Sequence, residues 1–296
     1  MLLVATVAVV TMLVAACEAK VYGASGVRPV STRSAEITRL AQALLPPEAT
    51  PAGLGELPAR VQRATEQAGA DGATIAVAVL DRTTDQLVAN GNQLIPGIAS
   101  VAKLFIADEL LFREAQGGTA LSQDDRSALD VMLRSSDDGA AEQFWNQLGG
   151  EAIISAVSSR YGLTDTAPPG DGRWWNTVST PADLIRYYRM LLDGSGGLPP
   201  EQVSTIINDL AQSTPTGIDG YPQRFGIPEG LYAEPVAVKQ GWMCCIGEDW
   251  MHLSTGVVGA DRRYVVVIES LQPSDDVAAR ATITKAVKTL FPDGRI

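Results

Sequence analysis

Pro96-Gly-Ile-Ala-Ser100-Val-Ala-Lys103-Leu-Phe-Ile-Ala-Asp-Glu-Leu-Leu-Phe112 couples a loop-closing Pro-Gly pair to a run that predicts a buried helix, through the apolar residues Leu104, Ile106, Leu110 and Leu111. Ser100 then occupies the helix N-terminus, where free N–H groups and the helix dipole favour an anionic oxygen, and Lys103 returns to the same face one turn later. A serine hydroxyl is a poor nucleophile at neutral pH and needs an adjacent base. A partly desolvated lysine supplies one, because burial and neighbouring cations lower its pKa. Taken alone, the same two residues are equally a helix N-cap and a solvated first-turn lysine, so their surroundings must decide.

Upstream, Leu57, Val61, Ala64 and Ala68 recur at helical spacing. The apolar run Ala73-Thr-Ile-Ala-Val-Ala-Val-Leu-Asp81 follows as a strand, and beyond a turn a second strand lies near Gln86 to Asn90. Downstream, helical patterns dominate from Val101 to about Leu210, broken by loops at 162–178 and 194–199, the latter opened by the helix stop Gly194-Ser195-Gly196-Gly197. Strand-like segments return at 236–247, 250–259 and 263–270, and an amphipathic helix covers roughly 274–291. Strands at both ends with helices between them predict an α+β fold. Its antiparallel sheet is built from the N- and C-terminal segments and flanked by helices, and an all-helical lobe of about residues 119–215 is inserted in the middle. The expected site is the cleft between the two lobes.

The composition narrows the function. A net charge of -11 and 34 acidic against 23 basic residues give no general attraction to nucleic acid or anionic lipid. No internal repeat and no glycine-rich phosphate or dinucleotide pattern is present. One histidine and two strand cysteines make no metal-ligand set, so neither metal nor other cofactor is expected. Residues 1–17 are apolar and uncharged up to Cys17 and read as a secretory leader too short to span a bilayer. Val14-Ala15-Ala16-Cys17 looks like a bacterial lipobox, which makes Cys17 the lipidation site and the lipid anchor the sole membrane contact. The expected location is the outer face of the cytoplasmic membrane or the cell envelope. No basic residue precedes Cys17, so a start upstream of Met1 is expected. Residues 18–53, mixing Ser, Pro, Ala and Gly, read as a tether, and 54–296 as one domain, expected to be monomeric. The adjacent Cys244 and Cys245 are expected on opposite sheet faces and unbonded, because a bond between neighbours strains the peptide between them.

Two further elements stand beside Ser100 and Lys103. Ser135-Ser136-Asp137-Asp138 follows one helical pattern and opens the next, and Val236-Ala237-Val238-Lys239-Gln240-Gly241 reads as a strand entering a hairpin. Their order and separations resemble the S-x-x-K, S-D-N and K-T-G elements of class A β-lactamases and penicillin-binding proteins. The resemblance spans residues 54–296. More narrowly, the whole chain resembles mycobacterial alanine-rich lipoproteins, through Gly172-Arg-Trp-Trp-Asn-Thr177, Ser213 to Pro228 and Val236 to Gly247. The resemblance implies an acyl-enzyme mechanism acting on a β-lactam-like or envelope acyl or peptide substrate. Ser100 attacks the carbonyl, Lys103 takes its proton, Ser136 relays a proton to the leaving nitrogen, and the N–H groups of Ser100 and Trp242 line the oxyanion hole. Lys239, Gln240, Gly241 and Trp242 are the substrate-binding positions, Lys239 drawing in a carboxylate.

Three departures qualify this. Asp138 stands where the family has Asn, and a carboxylate beside Lys103 is expected to raise the lysine pKa and weaken it as a base. Gln240 replaces the small hydroxyl of K-T-G. The omega-loop glutamate that activates the deacylating water is absent from residues 161–177, where the acids Asp165 and Asp171 read as turn chemistry and Arg173, Trp174 and Trp175 either pack the loop or line the cleft. The alternative is therefore a catalytically degenerate binding or structural lipoprotein on the same fold. A Ser-His-Asp site is disfavoured, since the single histidine, His252, sits in the strand-like Trp250 to Thr255 with no nucleophile-elbow motif.

Overall fold

Leu57, Val61, Ala64 and Ala68 form the buried stripe of helix α1 (Leu57–Ala70), as their spacing predicts. The computed structural model describes residues 54–93 and 97–296. Pro96, the leader with Cys17 and the tether lie outside the described residues.

Five antiparallel strands form one sheet: β1 (Thr74–Asp81), β2 (Gln86–Ala89), β3 (Val236–Ile246), β4 (Asp249–Val258) and β5 (Tyr264–Gln272), in the spatial order β2-β1-β5-β4-β3. The central pair joins the two ends of the domain, with Thr74 opposite Leu271 and Asp81 opposite Tyr264. Seven of the eight residues of β1 are buried, so it shows an apolar run rather than alternation: helices cover both faces of the sheet. On one face Ile75, Val77, Val79, Val266 and Ile268 pack against α1 and the last helix, which is α9 in chain order (Asp276–Leu290). On the other, Ala78, Leu80, Val265 and Val267 share a core with α2 (Lys103–Ala115) and the helical insertion.

The insertion contains α3 (Gln123–Arg134), α4 (Asp138–Leu148), α5 (Glu151–Tyr161), α6 (Pro181–Asp193) and α7 (Pro200–Ala211). Its helix boundaries are capped locally, and Gly194 is the helix stop that the sequence predicts. Asp137 caps α4 by accepting from the Ala140 N–H, Thr180 caps α6 ahead of Pro181, and Gly194 ends α6 at φ 79°, a left-handed conformation that costs glycine little. A short helix, α8 (Ile227–Gly230), lies in the connection back to β3.

A buried ionic cluster fastens α2 to α5. Arg160 donates to Asp108 at 2.8 and 3.0 Å and to Glu109 at 3.1 Å, and the Tyr161 and Tyr187 hydroxyls also reach Asp108. Burial lifts the Asp108 carboxyl to about 6 against the opposing pull of Arg160.

Candidate active site

Ser100 sits in a single 3-10 turn, Ala99–Ala102, that runs directly into α2. With three residues per turn, positions i and i+3 eclipse, which sets Lys103 beneath Ser100. The turn is held in a costly conformation: Ala99 has φ 45°, a left-handed value for a residue with a Cβ, worth roughly 1–3 kcal/mol of local strain. Ser136, between α3 and α4, is similarly strained at φ 56°. β3 presses against the turn because Gly241 has no side chain; a Cβ there would lie 2.8 Å from the Ile98 carbonyl oxygen.

These elements gather four groups that are distant in sequence. The Lys103 amine lies within hydrogen-bond distance of four oxygens, Ser100 Oγ at 2.9 Å, Ser136 Oγ at 3.1 Å, the Ser136 carbonyl at 2.7 Å and Asp138 Oδ1 at 2.5 Å, one more than its three N–H groups can serve at once. The Lys239 amine reaches the same Ser136 Oγ at 2.9 Å and the Gln240 carbonyl at 3.1 Å. Both lysine side chains are buried. Burial drives the Lys103 amine below the usual lysine range although Asp138 pulls it upward, and burial together with the Lys103 charge drives Lys239 well below that range. Two amines on one hydroxyl cannot both carry a proton cheaply, because each charge disfavours the other.

Above this floor lies a cleft of about 230 Å³, bordered by Ala99, Ser100, Asp138, Trp174, Trp175, Asp219, Trp242 and Met243. Trp174 lies in a short 3-10 turn, Trp174–Asn176, with Lys103 Nζ 4.8 Å from its ring centroid. Trp242 stacks on Tyr221, whose hydroxyl shares a 2.7 Å hydrogen bond with His252 Nε2.

Over the whole of this chain and 98% of theirs, the sequence is 64% identical to lipoprotein LppW of Mycobacterium tuberculosis and of Mycobacterium bovis. The chain belongs to the LppW lipoprotein family. No protein-family model matches it. In fold, this LppW-family chain is similar to a β-lactamase from Chitinophaga pinensis, with a TM-score of 0.64 at 14% identity over 79% of this chain and 98% of that one. It is likewise similar to an ancestral class A β-lactamase, at 0.61 and 21% over 80% and 99%. A mutant of PBP-A, as an acyl-enzyme complex with penicillin G, matches at 0.65 and 17% over 81% and 96%. The fold of the LppW-family chain is thus that of class A β-lactamases and penicillin-binding proteins.

Several expectations need correction. Asp138 does sit on Lys103, yet the net displacement of the lysine is downward, because burial outweighs the carboxylate. Gln240 is turned away from the cleft: it is buried, and its amide donates to the Gln223 and Phe225 carbonyls at 3.0 and 2.6 Å. Gly241 serves as the contact with the nucleophile turn, and Lys239 is not among the groups bordering the cleft. Of the two places open to Trp174 and Trp175, loop or cleft, both take the cleft border. Cys244 and Cys245, expected unbonded, are joined as a vicinal disulfide near the exposed end of β3.

Other readings hold. Asp171 accepts from the Arg173 N–H and the Asn176 amide, so it shapes a turn, and Asp165 is exposed. His252 is a buried packing residue with its imidazole held down to about 4 by burial. Asp219 is the group that sequence analysis missed. Its one available signal was the turn-forming Thr216-Gly-Ile-Asp-Gly220, which says nothing of where the turn docks.

Proposed function

We propose that the protein is a serine acyl-enzyme hydrolase or acyltransferase of the cell envelope, tethered by lipid on Cys17 to the outer face of the cytoplasmic membrane. The observation that carries this is the Lys103 amine, fully buried and within hydrogen-bond reach of both the Ser100 and Ser136 hydroxyls. In its neutral form Lys103 accepts the Ser100 proton as Ser100 Oγ bonds to the substrate carbonyl carbon. The N–H groups of Ser100 and Trp242 receive the developing oxyanion. As the tetrahedral intermediate collapses, the bond from carbon to the leaving nitrogen or oxygen breaks, Ser136 gives that atom its proton, and the Lys103 ammonium restores the proton on Ser136. Water or an acceptor nucleophile then releases the acyl group and returns the proton to Ser100.

β-Lactams are expected to acylate slowly, since Gln240 offers the cleft no small hydroxyl and Lys239 is committed to Ser136 and a carbonyl. Those features, and the absence of any acid from the 162–178 loop at the cleft among the described residues, favour a second reading: a binding protein that retains the fold without turnover. Intact-mass measurement after incubation with broad acylating probes and a fluorescent penicillin separates the two. A single adduct that Ser100→Ala abolishes supports the enzyme, and no adduct with any probe supports the binder.

A further inference from the structure

The charge around Ser100 is unevenly layered. The cations lie at the bottom: Lys103 and Lys239 are buried, and both are occupied by neighbouring oxygens. The anions lie at the rim. Asp138 keeps its side chain 72% exposed while giving one oxygen to Lys103. Asp219 is exposed and uses one oxygen to accept from the Tyr221 N–H at 3.0 Å. Asp137, the third acid nearby, faces its own helix, so it does not count at the rim.

The walls between rim and floor are Trp174, Trp175 and Trp242. Indole faces carry negative potential and attract cations, and Trp174 already has the Lys103 amine against its ring. Among the described residues, no lysine or arginine borders the cleft. Arg173 lies nearby against Trp175 and Asp171 but is not among the groups that border the cleft. A carboxylate entering here meets two carboxylates and three aromatic faces before it comes near any amine. A cation meets the two carboxylates first and is opposed only deeper, by the Lys103 amine beneath Ser100.

We propose that this cleft selects acyl substrates by positive charge: an amide or ester with a quaternary or protonated amine a few bonds from its carbonyl, held by Asp138, Asp219 and the tryptophan faces. This deepens the acyl-enzyme reading of Ser100 and rests on it. The substrate class is then amine-bearing rather than the carboxylate-bearing class that the β-lactamase resemblance implies. The modest volume of the cleft fits a short, slender chain rather than a bulky ring system.

Two p-nitrophenyl esters of equal chain length test this, those of 6-(trimethylammonio)hexanoic acid and of pimelic acid, with release of p-nitrophenol corrected by Ser100→Ala. The cationic ester is expected to show a kcat/KM about tenfold above that of the anionic one at low ionic strength, with the ratio shrinking as salt is added. Asp219→Asn should lower the ratio and Asp219→Lys should lower it further or reverse it. Equal rates, a faster anionic ester, or a ratio indifferent to both substitutions overturns the inference and leaves the acyl-enzyme reading intact. If neither ester acylates Ser100, that reading fails, and charge selection is then read by binding. Tryptophan fluorescence of Ser100→Ala is titrated with the corresponding cationic and anionic primary amides, and binding of the cation about tenfold tighter supports selection while equal or inverted affinities end it.

Discussion

Lys103 and Asp138 meet at 2.5 Å, and two opposing influences act on the amine. Loss of hydration favours the neutral amine that can accept a proton, whereas the carboxylate favours the ammonium that cannot. Burial is the larger of the two, which is the condition the proposed acyl-enzyme mechanism requires of Lys103. Acylation should therefore rise with pH as Lys103 loses its proton. Asp138→Asn removes the influence that retains the proton, so the acid limb of the kcat/KM profile for an uncharged p-nitrophenyl ester should move to lower pH. A limb that stayed in place or moved upward would mean that a different group governs the titration. Glu269 is the contrasting case. It is wholly buried on β5 with both carboxyl oxygens unpaired among the described residues, and burial alone, with no partner opposing it, pushes its carboxyl well above the usual carboxylate range.

At the scale of elements, the site depends on how closely β3 approaches the 3-10 turn that carries Ser100. Lys239 and Gly241 lie two apart on one face of the strand, so the amine that reaches Ser136 and the gap that admits the turn come from the same alternation. Gly241→Ala would force a Cβ against the Ile98 carbonyl and within 3.4 Å of the Ala99 Cβ. Displacing the strand should cost about 1–3 kcal/mol, seen as a lower urea midpoint. It should also slow acylation about tenfold or more, because a shift on the order of 1 Å degrades an aligned nucleophile. Full stability with normal acylation would show that the contact is not what positions Ser100. Element boundaries were largely legible in the sequence: β3, β4 and β5 begin and end within about two residues of the expected segments, and Gly194 ends α6 as expected, since burial periodicity and a glycine stop are local signals.

The whole molecule is closed by its ends. β1 and β5 are separated by most of the domain yet pair along their full length, and Arg263 clasps Asp81 at that junction through bonds of 2.9 and 2.6 Å. The Arg263 hydrogen bonds hold the Asp81 carboxyl down to about 2, against about 3.9 for a free aspartate. A depressed carboxylate pKa contributes stability that is fully present above the unfolded value and is lost as pH falls through the folded one. Arg263→Met should consequently destabilise the protein by about 2 kcal/mol at pH 7, with the difference fading between about pH 4 and pH 2. Urea midpoints of both proteins across that range check this. A deficit independent of pH would assign the arginine's contribution to packing instead.

Chain order and periodicity by themselves determined the α+β architecture and the closure of the sheet by segments from both ends of the domain, because both follow from local spacing and element order. The approach of Ser100, Lys103, Ser136 and Lys239 was implied by the resemblance of their three motifs to those of class A β-lactamases and penicillin-binding proteins. Tertiary structure alone decided that Gln240 turns inward to the 223–225 segment, that Trp174, Trp175 and Asp219 border the cleft, and that Cys244 and Cys245 are joined. Where a side chain points depends on what packs against it from remote segments, and a strand or turn residue carries no local mark of that neighbour.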